Sequence, residues 1–399
     1  MKYFPLFSLI LLLIFASCQK DEEDPNQDPS PNPSPSPNPN PPANNAVDVY
    51  LLGKDGSEPG GPAFWKNMVK TNIQTTWGGE GNSIQVSGGT VYIGGSIALN
   101  GGLTRYSPCY WRNGNKTDLP FLDPRGDGFI KSIYITDKVY AAGTCTDSLE
   151  FFANSGWRYL PCFWDGSEVK MLDRLNNFGG GFANAVTVLK NANFTVPYVA
   201  GESMGESGYN EPCYWRMALH TSEAENLKPY PLSTKGFGGS ATAIATFLDA
   251  KFQGNAFNTD VIIAGFIDDE NGSNTPCFWR NGDRVDLSEI SKAGNGIATA
   301  ITLAGTSNIA LDIYTAGFTY NAQSLSIPCV WKNQIRTDLP LPNNSTHGRA
   351  TACRINNGDV YVGGTVAVSG VEKPCYWKNS QIVLYNTSGS VNAMDLVSN

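Results

Sequence analysis

Residues Pro108-Cys109-Tyr110-Trp111-Arg112-Asn113 return as Pro276-Cys277-Phe278-Trp279-Arg280-Asn281 and again as Pro374-Cys375-Tyr376-Trp377-Lys378-Asn379. Related copies place Trp65, Trp164, Trp215 and Trp331, making seven units with a mean Trp-to-Trp spacing of 52 residues. A period in that range is the signature of a repeat architecture and has to be read before any single residue. Upstream of each Trp lies a strand-like stretch ending in Gly three residues after an aromatic or Ile: Tyr50 to Gly53, Tyr92 to Gly95, Tyr140 to Gly143, Tyr198 to Gly201, Ile262 to Gly265, Tyr314 to Gly317 and Tyr361 to Gly364. An alternating segment precedes it, as in Gly296-Ile297-Ala298-Thr299-Ala300-Ile301. After the Trp, Asn113-Gly114 and Asn281-Gly282 give the strongest short hairpin signal, followed by Thr117-Asp118-Leu119 and Val285-Asp286-Leu287.

Each unit therefore holds four short strands, here a, b, c and d, and four-stranded units at this period predict the blades of a β-propeller. The first unit starts directly at strand b, Val47 to Gly53, while Ser390 to Val397 after the last unit carries the a pattern. The expected fold is all-β, a seven-bladed propeller over residues 47–399 whose C-terminal strand completes the first blade and closes the ring. The Gly-Gly doublets at 94–95 and 363–364 after an aromatic strand, with a Trp downstream, make the chain similar to kelch-type propellers. Several copies have Ala-Gly instead, so the resemblance implies the fold and no partner.

In Pro-Cys-Tyr-Trp the Cys and Trp are two apart and face one side of the strand, while the aromatic between them faces the other. Residues repeated around a ring are read as the packing between blades, not as a ligand box. Six of the 9 Cys occupy this position: Cys109, Cys162, Cys213, Cys277, Cys329 and Cys375. Facing sheets pack about 10 Å apart, beyond the roughly 7 Å reach of a disulfide, so these are expected to be buried free thiols. A Cys145–Cys162 bridge is the one alternative pairing left open. No Cys-x-x-Cys spacing is present, and two His in 399 residues give no His-based metal site or triad. Nothing in the chain implies a cofactor.

The N-terminus carries an address. Lys2 precedes a 12-residue apolar run, Pro5 to Ala16, too short for a bilayer span and suited to a signal peptide. Ala16-Ser17-Cys18 resembles the bacterial lipobox, which implies cleavage after residue 17 and lipid attachment, palmitate included, at Cys18. Gln19-Lys20-Asp21-Glu22-Glu23-Asp24 resembles the export signal of Bacteroidota surface lipoproteins, which implies the outer membrane with the protein facing the cell exterior. In residues 25–42, 9 of 18 are Pro, a hydrated stalk of roughly 50 Å within the disordered segment 18–46. The chain is acidic, with 28 Lys+Arg against 36 Asp+Glu, which argues against nucleic acid. The expected partners are the membrane, through the lipid, and a glycan or protein; the chain itself is expected to be a monomer.

Function is expected where the repeat is broken. In an alternating four-stranded blade, b–c loops and d–a crossovers share one face, and these segments are long and varied, as binding loops are. Trp157, Arg158, Tyr159, Arg125, Asp127, His347 and Arg349 are the candidate binding residues, with Trp157 offering a flat ring to a sugar or capping Phe151 and Phe152. Arg125-Gly126-Asp127 spells an integrin-type tripeptide within a Gly-rich turn. Asp268-Asp269-Glu270-Asn271-Gly272 lacks the alternating ligands of a calcium loop and reads as a solvated tip. Asp147-Ser148-Leu149 resembles a Bacteroidota O-glycosylation motif. No nucleophile elbow or phosphate loop occurs, so the expectation is a non-catalytic, surface-tethered propeller that binds an extracellular glycan or protein. The alternatives are a carboxylate-based polysaccharide hydrolase or lyase, or a structural subunit of an outer-membrane complex.

Overall fold

The computed structural model describes residues 47–399 apart from 58–59, 101–104, 148–157, 218–226, 235–236, 249–258, 289–294 and 308–309. The signal peptide, Cys18, the stalk, Phe151, Phe152, Trp157 and the Ser148-Leu149 pair lie outside the described residues. Residues Asn45–Asn399 form one compact unit of seven antiparallel four-stranded sheets.

Blade 1 holds β1 (Val47–Asp55), β2 (Pro62–Lys66) and β3 (Val69–Asn72), and blade 2 holds β4 (Gly79–Ser87), β5 (Thr90–Ala98), β6 (Tyr106–Arg112) and β7 (Asn115–Asp118). Blade 3 follows with β8 (Gly128–Ile135), β9 (Val139–Asp147), β10 (Arg158–Asp165) and β11 (Glu168–Met171). Blade 4 is β12 (Gly181–Lys190), β13 (Thr195–Met204), β14 (Asn210–Arg216) and β15 (Pro229–Pro231). Blade 5 is β16 (Gly239–Leu248), β17 (Thr259–Asp268), β18 (Asn274–Arg280) and β19 (Asp283–Asp286). Blade 6 is β20 (Gly296–Ala304), β21 (Asp312–Tyr320), β22 (Ser326–Lys332) and β23 (Ile335–Asp338). Blade 7 is β24 (Ser345–Asn356), β25 (Asp359–Val368), β26 (Val371–Lys378) and β27 (Gln381–Leu384). The last strand, β28 (Gly389–Ser398), pairs with β1 and supplies the inner strand of blade 1, closing the ring as the sequence predicts. β28 covers the inner edge of β1, which would otherwise stand unpaired.

The repeated residues now have physical reasons. Every repeated Gly of strand b lies opposite the Cys position of strand c, from Gly53 against Ala63 to Gly364 against Cys375. On its other side the inner strand carries a β-bulge that drives a carbonyl onto the Gly: a Cβ on Gly95 would sit 1.8 Å from the Glu80 oxygen, and one on Gly364 2.2 Å from that of Arg349. Only glycine fits such an approach. All seven strand-c Trp are buried, and six of their indole N–H groups donate across to the neighbouring crossover, as Trp164 does to the Pro120 carbonyl (2.8 Å) and Trp377 to that of Pro340 (2.8 Å).

The Asn after the basic residue turns the c–d hairpin in the left-handed region, with φ of 48° at Asn113 and 54° at Asn281. Its side-chain oxygen accepts an N–H near the start of strand b, as from Val91 (2.8 Å) and Val261 (2.9 Å). In blades 1, 6 and 7 the basic residue covers the strand-b Tyr, Lys66 over Tyr50, Lys332 over Tyr314 and Lys378 over Tyr361, and pairs with an Asp near the start of that strand. These three cations are consumed within their own blades. The eight described cysteines are buried and free, as expected; the Cys145 and Cys162 thiols hydrogen-bond to each other without a bridge.

Around the axis runs a belt. The bulge residue of the inner strand donates to the backbone carbonyl of the next blade: Asn82 to Ile130 (2.9 Å), Asn184 to Ala241 (3.1 Å), Thr242 to Ala298 (2.6 Å), Thr299 to Ala350 (2.8 Å), Thr351 to Val391 (2.9 Å) and Asn392 to Gly81 (2.9 Å).

Candidate functional site

In each blade the start of the b–c connection bonds to the incoming d–a crossover, as in Thr146 N–H to the Asp127 carbonyl, Met204 to Gly180 and Asp268 to Gly238. Crossovers and b–c loops therefore form one rim, and exposed aromatics gather there. Of the six exposed aromatic side chains among the described residues, Trp77, Tyr159, Phe178, Tyr209 and Phe237 belong to this rim, and only Tyr230 lies on an outer strand. Four of the five surround blade 4: Tyr159 and Phe178 on its blade 3 side, Tyr209 in its own b–c turn, and Phe237 in the crossover to blade 5.

Beside this aromatic rim stand Glu202 and Asp268, with Glu211 nearby in β14 accepting from Ser207 Oγ (3.0 Å). Glu202 directly follows the repeated Gly201 on β13; it accepts from Asn210 Nδ2 (3.4 Å) and bonds to Ser240. Burial, together with the charge of Asp268, holds its carboxyl above the usual range. Asp268 ends β17 and is itself pushed up, first by burial and then by the charge of Asp269. The crossover into blade 5 runs between Asp268 and the blade 4 turn: a Cβ on Gly238 would lie 3.1 Å from Asp268 Oδ2 and 3.4 Å from the Tyr209 Cβ. Ser240 also accepts from Asn184 Nδ2 (3.2 Å), so the chain Glu202–Ser240–Asn184 leads from the rim to the axial belt. Carboxylates beside exposed rings can accept hydrogen bonds from hydroxyls, and a ring face stacks on the apolar face of a sugar.

The residues singled out from sequence do not form one site. Arg125, Asp127, Arg158 and Tyr159 lie on blade 3 or the crossover into it, whereas His347 and Arg349 lie on β24 of blade 7. Asp127 is structural: its Oδ1 accepts the Tyr106 N–H (2.7 Å) and its own N–H bonds to Thr146 Oγ1 (2.7 Å). The Arg-Gly-Asp turn is pinned from the side by Arg105, whose Nη2 donates to the Gly126 carbonyl (3.0 Å). Arg125 is exposed beside Asp123 at 3.4 Å. Arg158 opens β10 opposite Asp147. Tyr159 stacks on Phe182 at 5.3 Å and stays on the aromatic rim. His347 Nδ1 is 2.9 Å from Thr346 Oγ1, and the Arg349 guanidinium covers Phe318 at 5.1 Å. In the acidic tip, Asp269 Oδ1 accepts the N–H groups of Asn271 and Ser273, both at 2.8 Å, which closes the turn on itself.

Glu202 was legible in principle. The residue after the repeated Gly is Lys54, Ser96, Thr144, Glu202, Phe266, Phe318 and Thr365 in successive blades, a varying position between repeating neighbours. Its closeness to Asp268, more than 60 residues away, is set by the ring.

No protein-family model and no curated protein matches the chain. Solved structures similar to it include the SapL1 lectin in complex with alpha methyl fucoside, at 12% identity over 79% of this chain and 98% of that one, with a TM-score of 0.40. An ulvan lyase of polysaccharide lyase family PL25 has 11% identity over 77% and 83%, TM-score 0.44, and the GH43 protein BlXynB from Bacillus licheniformis has 10% identity over 85% and 86%, TM-score 0.28. Likeness at this level carries no statement about what this chain binds.

Proposed function

We propose that the protein is a surface-tethered, non-catalytic binding module that takes an extracellular glycan on the loop-rich face of its propeller, over blades 3 to 5. The carrying observation is the one-sided distribution of exposed aromatics, with Tyr159, Phe178, Tyr209 and Phe237 set around Glu202, Asp268 and Asn210. Rings that stack on sugar faces and carboxylates that accept from sugar hydroxyls are the two parts such recognition needs. The lipobox-like Ala16-Ser17-Cys18, the acidic run after it and the Pro-rich stalk support presentation of this face outside the outer membrane. A glycan array probed with the full chain should give binding that Tyr209→Ala and Phe237→Ala each reduce about tenfold at unchanged melting temperature. No binding, or binding indifferent to both changes, rejects the proposal. Loss of palmitate labelling in Cys18→Ala tests the anchor.

The raised carboxyls of Glu202 and Asp268 favour one second reading, a hydrolase or lyase in which Glu202 gives or takes the proton at the cleaved bond. Release of new reducing ends from a polysaccharide panel, abolished by Glu202→Gln, would replace the binding reading with this one.

A further inference from the structure

The axial belt is broken once. At blade 3 the bulge residue, between Ile130 and Ser132, is Lys131, where the other six blades carry Asn or Thr. Its side chain makes no hydrogen bond or ion pair among the described residues, and the Ala183 carbonyl of blade 4, the acceptor that the belt pattern assigns to it, receives none from blade 3. A neutral amide or hydroxyl is short enough to reach the neighbouring carbonyl; the four-carbon stem of Lys carries its charge past it, into the channel.

That channel is a cavity of 570 Å³ lined by the inner strands of all seven blades, within the range of small-molecule sites. Three charged residues line it: Lys131, Arg354 and Asp395. Arg354 lies 3.5 Å from Asp395 and donates to the Cys353 carbonyl (3.0 Å), while Asp395 also accepts the Val86 N–H (2.6 Å). Gln85 is held in turn by the Ile135 N–H (2.8 Å). Lys131 is thus the uncompensated charge, one positive centre in the channel of a chain with net charge −8. The belt also presents acceptors. Asn82, Asn184 and Asn392 donate through Nδ2, and their Oδ1 atoms take none of the hydrogen bonds among the described residues.

We propose that the axial channel is a binding site for a polyhydroxylated carboxylate of monosaccharide size, with Lys131 Nζ pairing to the carboxylate and the belt amide oxygens accepting from its hydroxyls. This site is separate from the aromatic rim and stands or falls without it. Calorimetric titration of the full chain at low ionic strength, with D-glucuronate and D-glucose as probes, tests it. Glucuronate should bind at least tenfold more tightly than glucose, and 0.5 M salt should weaken it. Lys131→Met should lose that preference at an unchanged melting temperature. Lys131→Asn should lose it as well while closing the belt onto Ala183 and raising the melting temperature. Equal binding of the two sugars by the wild-type chain, absence of glucuronate binding, or full binding by Lys131→Met would each overturn the assignment. Loss of array binding in Tyr209→Ala leaves this titration untouched, so the two readings fail independently.

Discussion

The ring symmetry supplies a controlled experiment on a single buried hydrogen bond. Trp164 and Trp111 occupy the same position in blades 3 and 2, both essentially without exposure. The Trp164 indole N–H donates to the Pro120 carbonyl at 2.8 Å, whereas the Trp111 N–H has no partner among the described residues, and the equivalent crossover residue is Gln74. Replacing either by Phe removes the same atoms from the same kind of inter-blade pocket, so the packing loss cancels in the comparison. Trp164→Phe additionally loses a hydrogen bond worth about 0.5–1.5 kcal/mol, while Trp111→Phe discards a donor whose unpaired burial costs about 1–3 kcal/mol. Both effects act in the same direction, and Trp164→Phe is expected to be about 2–4 kcal/mol more destabilising. Guanidinium unfolding followed by tryptophan fluorescence and circular dichroism measures both variants against wild type. In Tm the difference should be on the order of 3–6 °C, given how unfolding entropy scales with chain length. Equal losses in the two variants, or a larger loss in Trp111→Phe, would refute the account of the Trp as hydrogen-bonded wedges.

Glu202 titrates above its unfolded value because burial disfavours its charge, so its contribution to stability is complete below the unfolded pKa and is lost as pH rises through the folded one. Glu202→Gln, which keeps the contacts to Asn210 and Ser240, should therefore be more stable than wild type at pH 7 and lose that advantage below about pH 4; a pH-independent difference in denaturation midpoint would contradict this. Burial pushes the Cys109 and Cys353 thiols up to about 12 and holds those of Cys213 and Cys375 well above the free value. Ellman's reagent at pH 8 should accordingly find none of the eight propeller thiols in the native protein and all eight in guanidinium. Rapid labelling of any one in the native state would show that its blade opens.

Blade number, strand order and ring closure were all legible along the chain, because each rests on local alternation and on a unit written seven times. Val47 starting at strand b and Ser390–Val397 supplying the missing a strand set the count. The free thiols followed from the same register. Arg125, Asp127, His347 and Arg349 stand out in the sequence as ionisable residues outside the repeat, and the ring parts the first two from the last two, with Asp127 spent on holding β6. Neither the meeting of Glu202 with Asp268 nor the gap at Lys131 could be read from spacing. Both depend on what the neighbouring blade presents across an interface, a carbonyl, a hydroxyl or a second carboxylate, and on whether that partner answers the side chain's charge. The repeat determines which residues must be alike, since each blade buries the same faces. Only the closed ring decides what the unlike ones meet, because its geometry sets residues some 50 positions apart side by side.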